Sequence, residues 1–96
     1  MSVLWISHVT VTDPERYGRY ATLATEAIGA HGGVFLVRGG AFRQMEGPER
    51  PRNVVARFAD METAVACYNS DIYQRAMEHA RGACERELVI VEELAP

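Results

Sequence analysis

Three strand-length runs in this chain are apolar at almost every position, and they restrict its fold more than any motif does. Residues 34–37 read Val-Phe-Leu-Val, residues 88–91 read Leu-Val-Ile-Val, and Val54-Val55-Ala56 comes close. A strand that covers a core on one side and meets water on the other alternates apolar and polar side chains. These runs do not alternate, which implies a sheet buried on both faces. Helices from the same chain can cover one face. A chain of 96 residues has little left for the other. A second copy is the obvious cover, so the expected assembly is a homodimer.

Length allows a single domain over residues 1–96. The net charge of -3 argues against a nucleic-acid partner, which would call for a basic stripe. All ten basic residues are Arg, so lysine Schiff-base chemistry and the lysine of a phosphate loop are excluded. No run reaches membrane-spanning length, and the first residues lack the basic and apolar regions of a signal peptide. Cys67 and Cys84 are isolated, as suits a reducing compartment. A cytoplasmic location is therefore expected.

Residues 4–11 read as a first strand, rich in Trp, Ile, Val and Thr. Thr12-Asp13-Pro14-Glu15 is a helix start, capped by Asp13 with Pro14 first in the helix, or by a Thr12–Glu15 box. Tyr17, Tyr20, Ala21, Ala24, Ala27 and Ile28 fall at helical spacing, and Gly32-Gly33 ends the helix. Residues 34–38 form a second strand. Gly39-Gly40 should bend it, with an extended pattern resuming over 41–46. Residues 47–51 are a Gly/Pro turn, and 52–58 a third strand. Asp60 caps a short helix with Met61, Ala64, Val65 and Tyr68 inward. Asn69-Ser70-Asp71 stops it and caps another, with Ile72, Tyr73, Ala76, Met77 and Ala80 inward. Residues 87–93 form the last strand. This order predicts an α+β fold of the ferredoxin-like, split βαβ plan, with an antiparallel sheet and its helices on one face.

The landmarks also carry a resemblance. Val-Thr-Asp-Pro-Glu leads into a helix with Tyr17 and Tyr20, followed by Gly-Gly-Val-Phe-Leu-Val-Arg-Gly-Gly. Glu46-Gly47, Arg52-Asn53-Val54-Val55, Ala66-Cys67-Tyr68-Asn69-Ser70 with Tyr73-Gln74, and Leu88-Val89-Ile90-Val91-Glu92 follow in order. From Trp5 to Glu92 the chain resembles the domain of unknown function 1330 family, in the dimeric α/β-barrel superfamily. The resemblance implies a ferredoxin-like monomer whose sheet packs face to face with that of a second copy. It implies no particular activity. Arg57, Cys84, Glu87 and Glu93-Leu94 depart from the family pattern.

Five residues are candidates for chemistry. His8 shares a strand face with Leu4 and Ile6, where an imidazole could serve as a catalytic general base. Arg38 ends an apolar strand beside two glycines, and its planar fork suits a ligand carboxylate or a neighbour such as Glu46. Tyr17, Tyr20 and Tyr68 stand on inward helical stripes and could wall a ligand pocket, or simply be core. Arg43, Arg50 and Arg52 interleave with Glu46 and Glu49 and read as a solvated face. His8, His31 and His79 have no metal-ligand spacing, so neither metal nor cofactor is expected; a haem-ligand role for His79 has only helix geometry in its favour.

Two functional readings follow. One is a small-molecule-binding dimer with a site between sheet and helices, extending to cofactor-independent acid–base or oxygenase chemistry. The other is a non-catalytic dimeric module with a filled interior. Cavity volume separates them.

Overall fold

The computed structural model describes residues 1–95. Its elements are β1 (Val3–Val11), α1 (Pro14–Ala30), β2 (Val34–Arg38), β3 (Arg52–Phe58), α2 (Met61–Tyr68), α3 (Asp71–Ala80) and β4 (Cys84–Glu92). The strands lie in the order β2-β3-β1-β4, and every neighbouring pair is antiparallel. The three helices cover one face, so the chain has the ferredoxin-like α+β fold that its element order predicts.

Local chemistry sets the helix ends. Asp13 caps α1, its carboxylate accepting from Arg16 N–H, with Pro14 in the first turn. Asp60 caps α2 through Thr63 N–H at 2.8 Å, and Ser70 caps α3 through Tyr73 N–H at 3.2 Å. Gly32 and Gly82 supply the positive φ that follows α1 and α3.

The core lies between helices and sheet. Val3, Trp5 and Val9 of β1 meet Ala56 and Phe58 of β3, Ala24, Ala27 and Ile28 of α1, and Tyr73, Ala76 and Ala80 of α3. Trp5 is its centre, 5.6 Å from Phe58 and 5.1 Å from Tyr73 between ring centroids. The opposite sheet face is uncovered. Leu4, Ile6 and Val55 there are half-buried by their neighbours, while Val34, Val37, Val89 and Val91 are between 42% and 60% exposed. The two-sided runs of the sequence thus have one face inside and one face bare.

Three local expectations are corrected and a fourth is narrowed. β4 begins at Cys84, not at 87, because its pairing with β1 continues down to Val11↔Cys84. No strand resumes over 41–46. Gly39, at φ +70°, turns the chain away, and residues 39–49 run exposed without regular structure. Met61 and Val65 are exposed, because α2 turns Ala64 and Cys67 inward and leaves those two at its rim. The fourth resolves an alternative: of the two caps open for α1, Asp13 with Pro14 forms and the Thr12–Glu15 box does not.

Candidate functional site

A cleft opens between α1 and the helix-facing side of the sheet. Trp5 and Ser7 of β1, Tyr17, Tyr20 and Thr25 of α1, and Arg38, Arg52 and Phe35 of the neighbouring strands line it. The cleft is half-open and its volume is about 30 Å³, roughly the room of a few waters or one carboxylate group and well short of the roughly 300 Å³ that a whole drug-sized ligand needs.

The strand registers account for its polar side chains. Arg52 lies opposite Val9 and shares the parity of Val54, Ala56 and Phe58, all of which point to the helices. Arg38 arrives by a bulge. Phe35 pairs with Ala56, but Val37 rather than Leu36 pairs with Val55, so Arg38 falls opposite Val54 on the helix side. Its guanidinium then stacks over Phe35 at 4.4 Å and donates to Thr25 Oγ1 at 2.5 Å. Glu46 is not its partner. Arg52 lies 5.9 Å from the Tyr17 ring centroid, and its buried Nε has no hydrogen-bond acceptor among the described residues. Gly39 leaves it space: a Cβ there would stand 2.9 Å from Arg52 Nη1.

Behind the cleft lies a third, half-buried guanidinium. Arg86 Nη1 donates to Tyr20 Oη at 2.7 Å and Nη2 to Tyr73 Oη at 2.9 Å, and the two phenol oxygens are 2.7 Å apart. Burial opposes the Arg86 charge, but the two phenols beside it outweigh this and raise its pKa. Burial raises the pKa of Tyr73 and of Tyr17, so both keep their protons at neutral pH. Among the described residues the ion pairs are Arg19–Glu15, Arg50–Glu85, Arg50–Glu87 and Arg57–Glu93. Arg38, Arg52 and Arg86 take part in none of them. The cleft lining offers hydroxyls and guanidiniums, with no carboxylate and no imidazole.

The five candidates do not form one site. Tyr17, Tyr20 and Arg38 share the cleft. Tyr68 does not: it lies on the far side of Trp5 and Tyr73, beside Met61, Val65, Leu88 and Ile90 in an open apolar groove of about 360 Å³. His8 is on the bare face, because its parity is that of Leu4 and Ile6 and the helices cover Trp5, Ser7 and Val9. There Nδ1 is 2.6 Å from Asn53 Oδ1. An amide oxygen only accepts, so Nδ1 carries the hydrogen. His8 borders a hollow of about 230 Å³ with Gln44, Glu46, Arg50 and Glu87, separated from the cleft by the sheet itself.

Two contributors escaped the sequence reading. Arg52 reads as part of a solvated cluster, yet only Arg50 of that group meets acidic partners, Glu85 and Glu87. Arg86 carries no motif. The signal for both was strand parity, shared with Val54 and Ala56 for one and with Leu88 and Ile90 for the other. Two of the departures from the family pattern, Arg57 and Glu93, form a single ion pair at 2.7 Å.

Solved structures with the same fold include a protein of unknown function from Rhodopseudomonas palustris, at TM-score 0.79 and 17% identity, covering 99% of this chain and 84% of the other. A dimeric ferredoxin-like protein of unknown function from Jannaschia sp. CCS1 aligns at TM-score 0.78 and 13% identity, covering 97% and 100%. SnoaB, a cofactor-independent oxygenase from Streptomyces nogalater, aligns at 0.68 and 11%, covering 99% and 95%. At these identities the likeness is one of fold. No curated protein matches in sequence. Residues 2–94 match the family described as Domain of unknown function (DUF1330), and the chain belongs to that family.

Proposed function

We propose that this protein is a homodimer that binds a small organic anion in the cleft between α1 and the sheet of each subunit. One observation carries the anion: Arg38 and Arg52 converge on the cleft with no carboxylate partner among the described residues, and Arg52 Nε is buried without an acceptor. Arg38 is itself exposed to solvent, so the need for a partner falls on Arg52, whose buried Nε–H requires an acceptor. An acidic oxygen of a ligand supplies it. The volume of about 30 Å³ admits an acidic head group, with the body of the molecule lying over Phe35 and Arg38 at the mouth. The bare face supports the dimer, since a second copy removes Val34, Val37, Val89 and Val91 from water. Burying each fully is worth about 1.5–3 kcal/mol.

The donor-rich lining, two guanidiniums and four hydroxyls with no carboxylate, also favours a second reading, cofactor-independent oxygenase chemistry. Such a cleft stabilises the anionic, electron-rich form of a phenolic or enolic substrate. It lacks an acid–base side chain that ionises near neutrality, so the substrate would have to enter as its anion. His8, on the other face, would be a general base only for a separate site.

Native mass spectrometry of freshly purified protein tests the binding reading. The expected spectrum shows a dimer carrying small acidic molecules that Arg52→Met loses while remaining dimeric. A ligand-free dimer that also shows no affinity for added aromatic carboxylates contradicts it and leaves the closed, non-catalytic module. Oxygen uptake with electron-rich phenolic acids tests the second reading, which fails if none is consumed above the protein-free rate.

A further inference from the structure

We infer that Tyr20 is the hydroxyl that donates to the ligand's anionic oxygen, and that Arg86 and Tyr73 are positioning residues that aim its proton into the cleft. The inference rests on the anion-binding reading of that cleft.

The direction follows from counting protons. A guanidinium only donates, so Tyr20 Oη and Tyr73 Oη each accept one bond from Arg86. The two hydroxyls are 2.7 Å apart, and a single proton occupies the line between them. One of the two phenolic protons is therefore left over. If it belonged to Tyr73 it would be stranded, because Tyr73 is 0% exposed and its hydroxyl has no other acceptor among the described residues. A buried donor without an acceptor is costly. If it belongs to Tyr20 it has an outlet on the side where the Tyr20 ring borders the cleft, which the Tyr73 ring does not. Tyr73 thus donates to Tyr20. Tyr20 accepts from both Tyr73 and Arg86, and its own hydrogen points toward the ligand.

This arrangement favours an anion in two ways. Two donors on the Tyr20 oxygen polarise the hydroxyl and strengthen the bond that it makes in turn. The ring is also held in place, under Arg86 at 4.9 Å and against Tyr17 at 5.0 Å, so the donor needs no reorganisation when ligand arrives. Arg86 has no carboxylate partner among the described residues, and its charge reaches the cleft through this hydroxyl. The ligand class that fits is a carboxylate, phenolate or enolate, whose oxygen accepts from Tyr20 and from the guanidiniums at once.

The test uses p-nitrophenol, whose phenolate absorbs in the visible and whose own ionisation lies near neutrality. Titrated slightly below that pH, the intact protein should draw it into the phenolate form. Tyr20→Phe should reduce the preference for phenolate over phenol by roughly tenfold or more, the usual scale of a hydrogen bond to a charged oxygen. Tyr73→Phe keeps the Tyr20 hydroxyl but removes the bond that orients it, so it should cause a smaller loss. Tyrosine ring-carbon NMR on the intact protein gives a readout that needs no variant: the Tyr20 signal should move on adding p-nitrophenol, with the Tyr73 signal following less. Undiminished phenolate preference in Tyr20→Phe, or an unmoved Tyr20 signal, with Arg52→Met still impaired, overturns the assignment and leaves the anion cleft standing. No phenolate at all with the intact protein overturns both.

Discussion

Arg38 stands opposite Val54 rather than Asn53, and this one-residue shift carries its guanidinium from the bare face of the sheet to the helix side. Strict alternation from Phe35 would have put Val37 inside and Arg38 outside. The bulge between Phe35 and Val37 reverses that parity at the end of β2, and Arg38 joins Arg52 and Tyr17 in the cleft.

Gly39 protects the neighbouring guanidinium. Its φ is +70°, and an added Cβ would meet Arg52 Nη1 at 2.9 Å. Gly39→Ala is expected to destabilise the fold by about 1 kcal/mol or more and to displace Arg52. Urea unfolding checks the first effect, and a loss of anion binding larger than the stability change checks the second.

The aromatic centre of the core gives a larger effect. Trp5 is 2% exposed and touches Phe58, Tyr68 and Tyr73. Trp5→Ala should cost about 3–5 kcal/mol, a large fraction of the stability of a domain this small. Equilibrium unfolding followed by circular dichroism should show a mostly unfolded variant or a midpoint far below that of the parent.

Neither thiol should be reactive in the folded state. Burial pushes the Cys67 pKa up to about 11 and raises that of Cys84 as well. Thiolate is the reacting species, so a thiol-specific chromogenic reagent at neutral pH should label both cysteines only slowly until denaturant is added. Rapid labelling of Cys67 in native protein would show that the α2–sheet packing opens.

Acid should weaken the seam at the end of β4. Hydrogen bonds from Ser2 and Arg57 lower the Glu93 pKa. A carboxylate whose pKa is depressed on folding adds stability above its unfolded pKa and loses it as pH falls through the folded value. The seam should therefore be intact at neutral pH and loosen only below the ordinary carboxylate range. Carboxyl-carbon NMR should find the Glu93 midpoint below an unperturbed glutamate, and Ser2→Ala should move it upward.

Much of this molecule was legible in residue order. Helix starts were written in Asp13-Pro14, Asp60 and Ser70, and the element order gave the ferredoxin-like plan. The apolar runs at 34–37 and 88–91 gave the second apolar face, although the bulge after Phe35 shifts which residues of the first run lie on it. The site was less legible. A bulge leaves no composition signal, so the side taken by Arg38 was hidden. Arg52 and Arg86 look like surface charge one residue at a time and show their place only when read in phase with Val54 and Leu88. His8 was in phase with Leu4 and Ile6 throughout, but which face the helices would cover depended on the packing of Trp5. Tyr68 was inward as expected, yet Trp5 and Tyr73 lie between it and the cleft.

The bare face makes its own prediction. Val89→Asp places a charge amid Leu4, Ile6, Val55 and Val91 and should halve the mass seen by sedimentation at low micromolar concentration. A parent protein that is already a stable, soluble monomer there would remove the argument for a dimer.

Calorimetric titration with benzoate of the parent protein and of Arg38→Met, Arg52→Met and the double variant reads the anion site itself. The parent protein should bind saturably at one site per subunit, more weakly as salt is added. Each single variant should lose about 10- to 100-fold in affinity, and the double variant should lose binding altogether while keeping its fold and its mass. Equal affinity in all four proteins, or no binding to the parent, would contradict an anion site between Arg38 and Arg52.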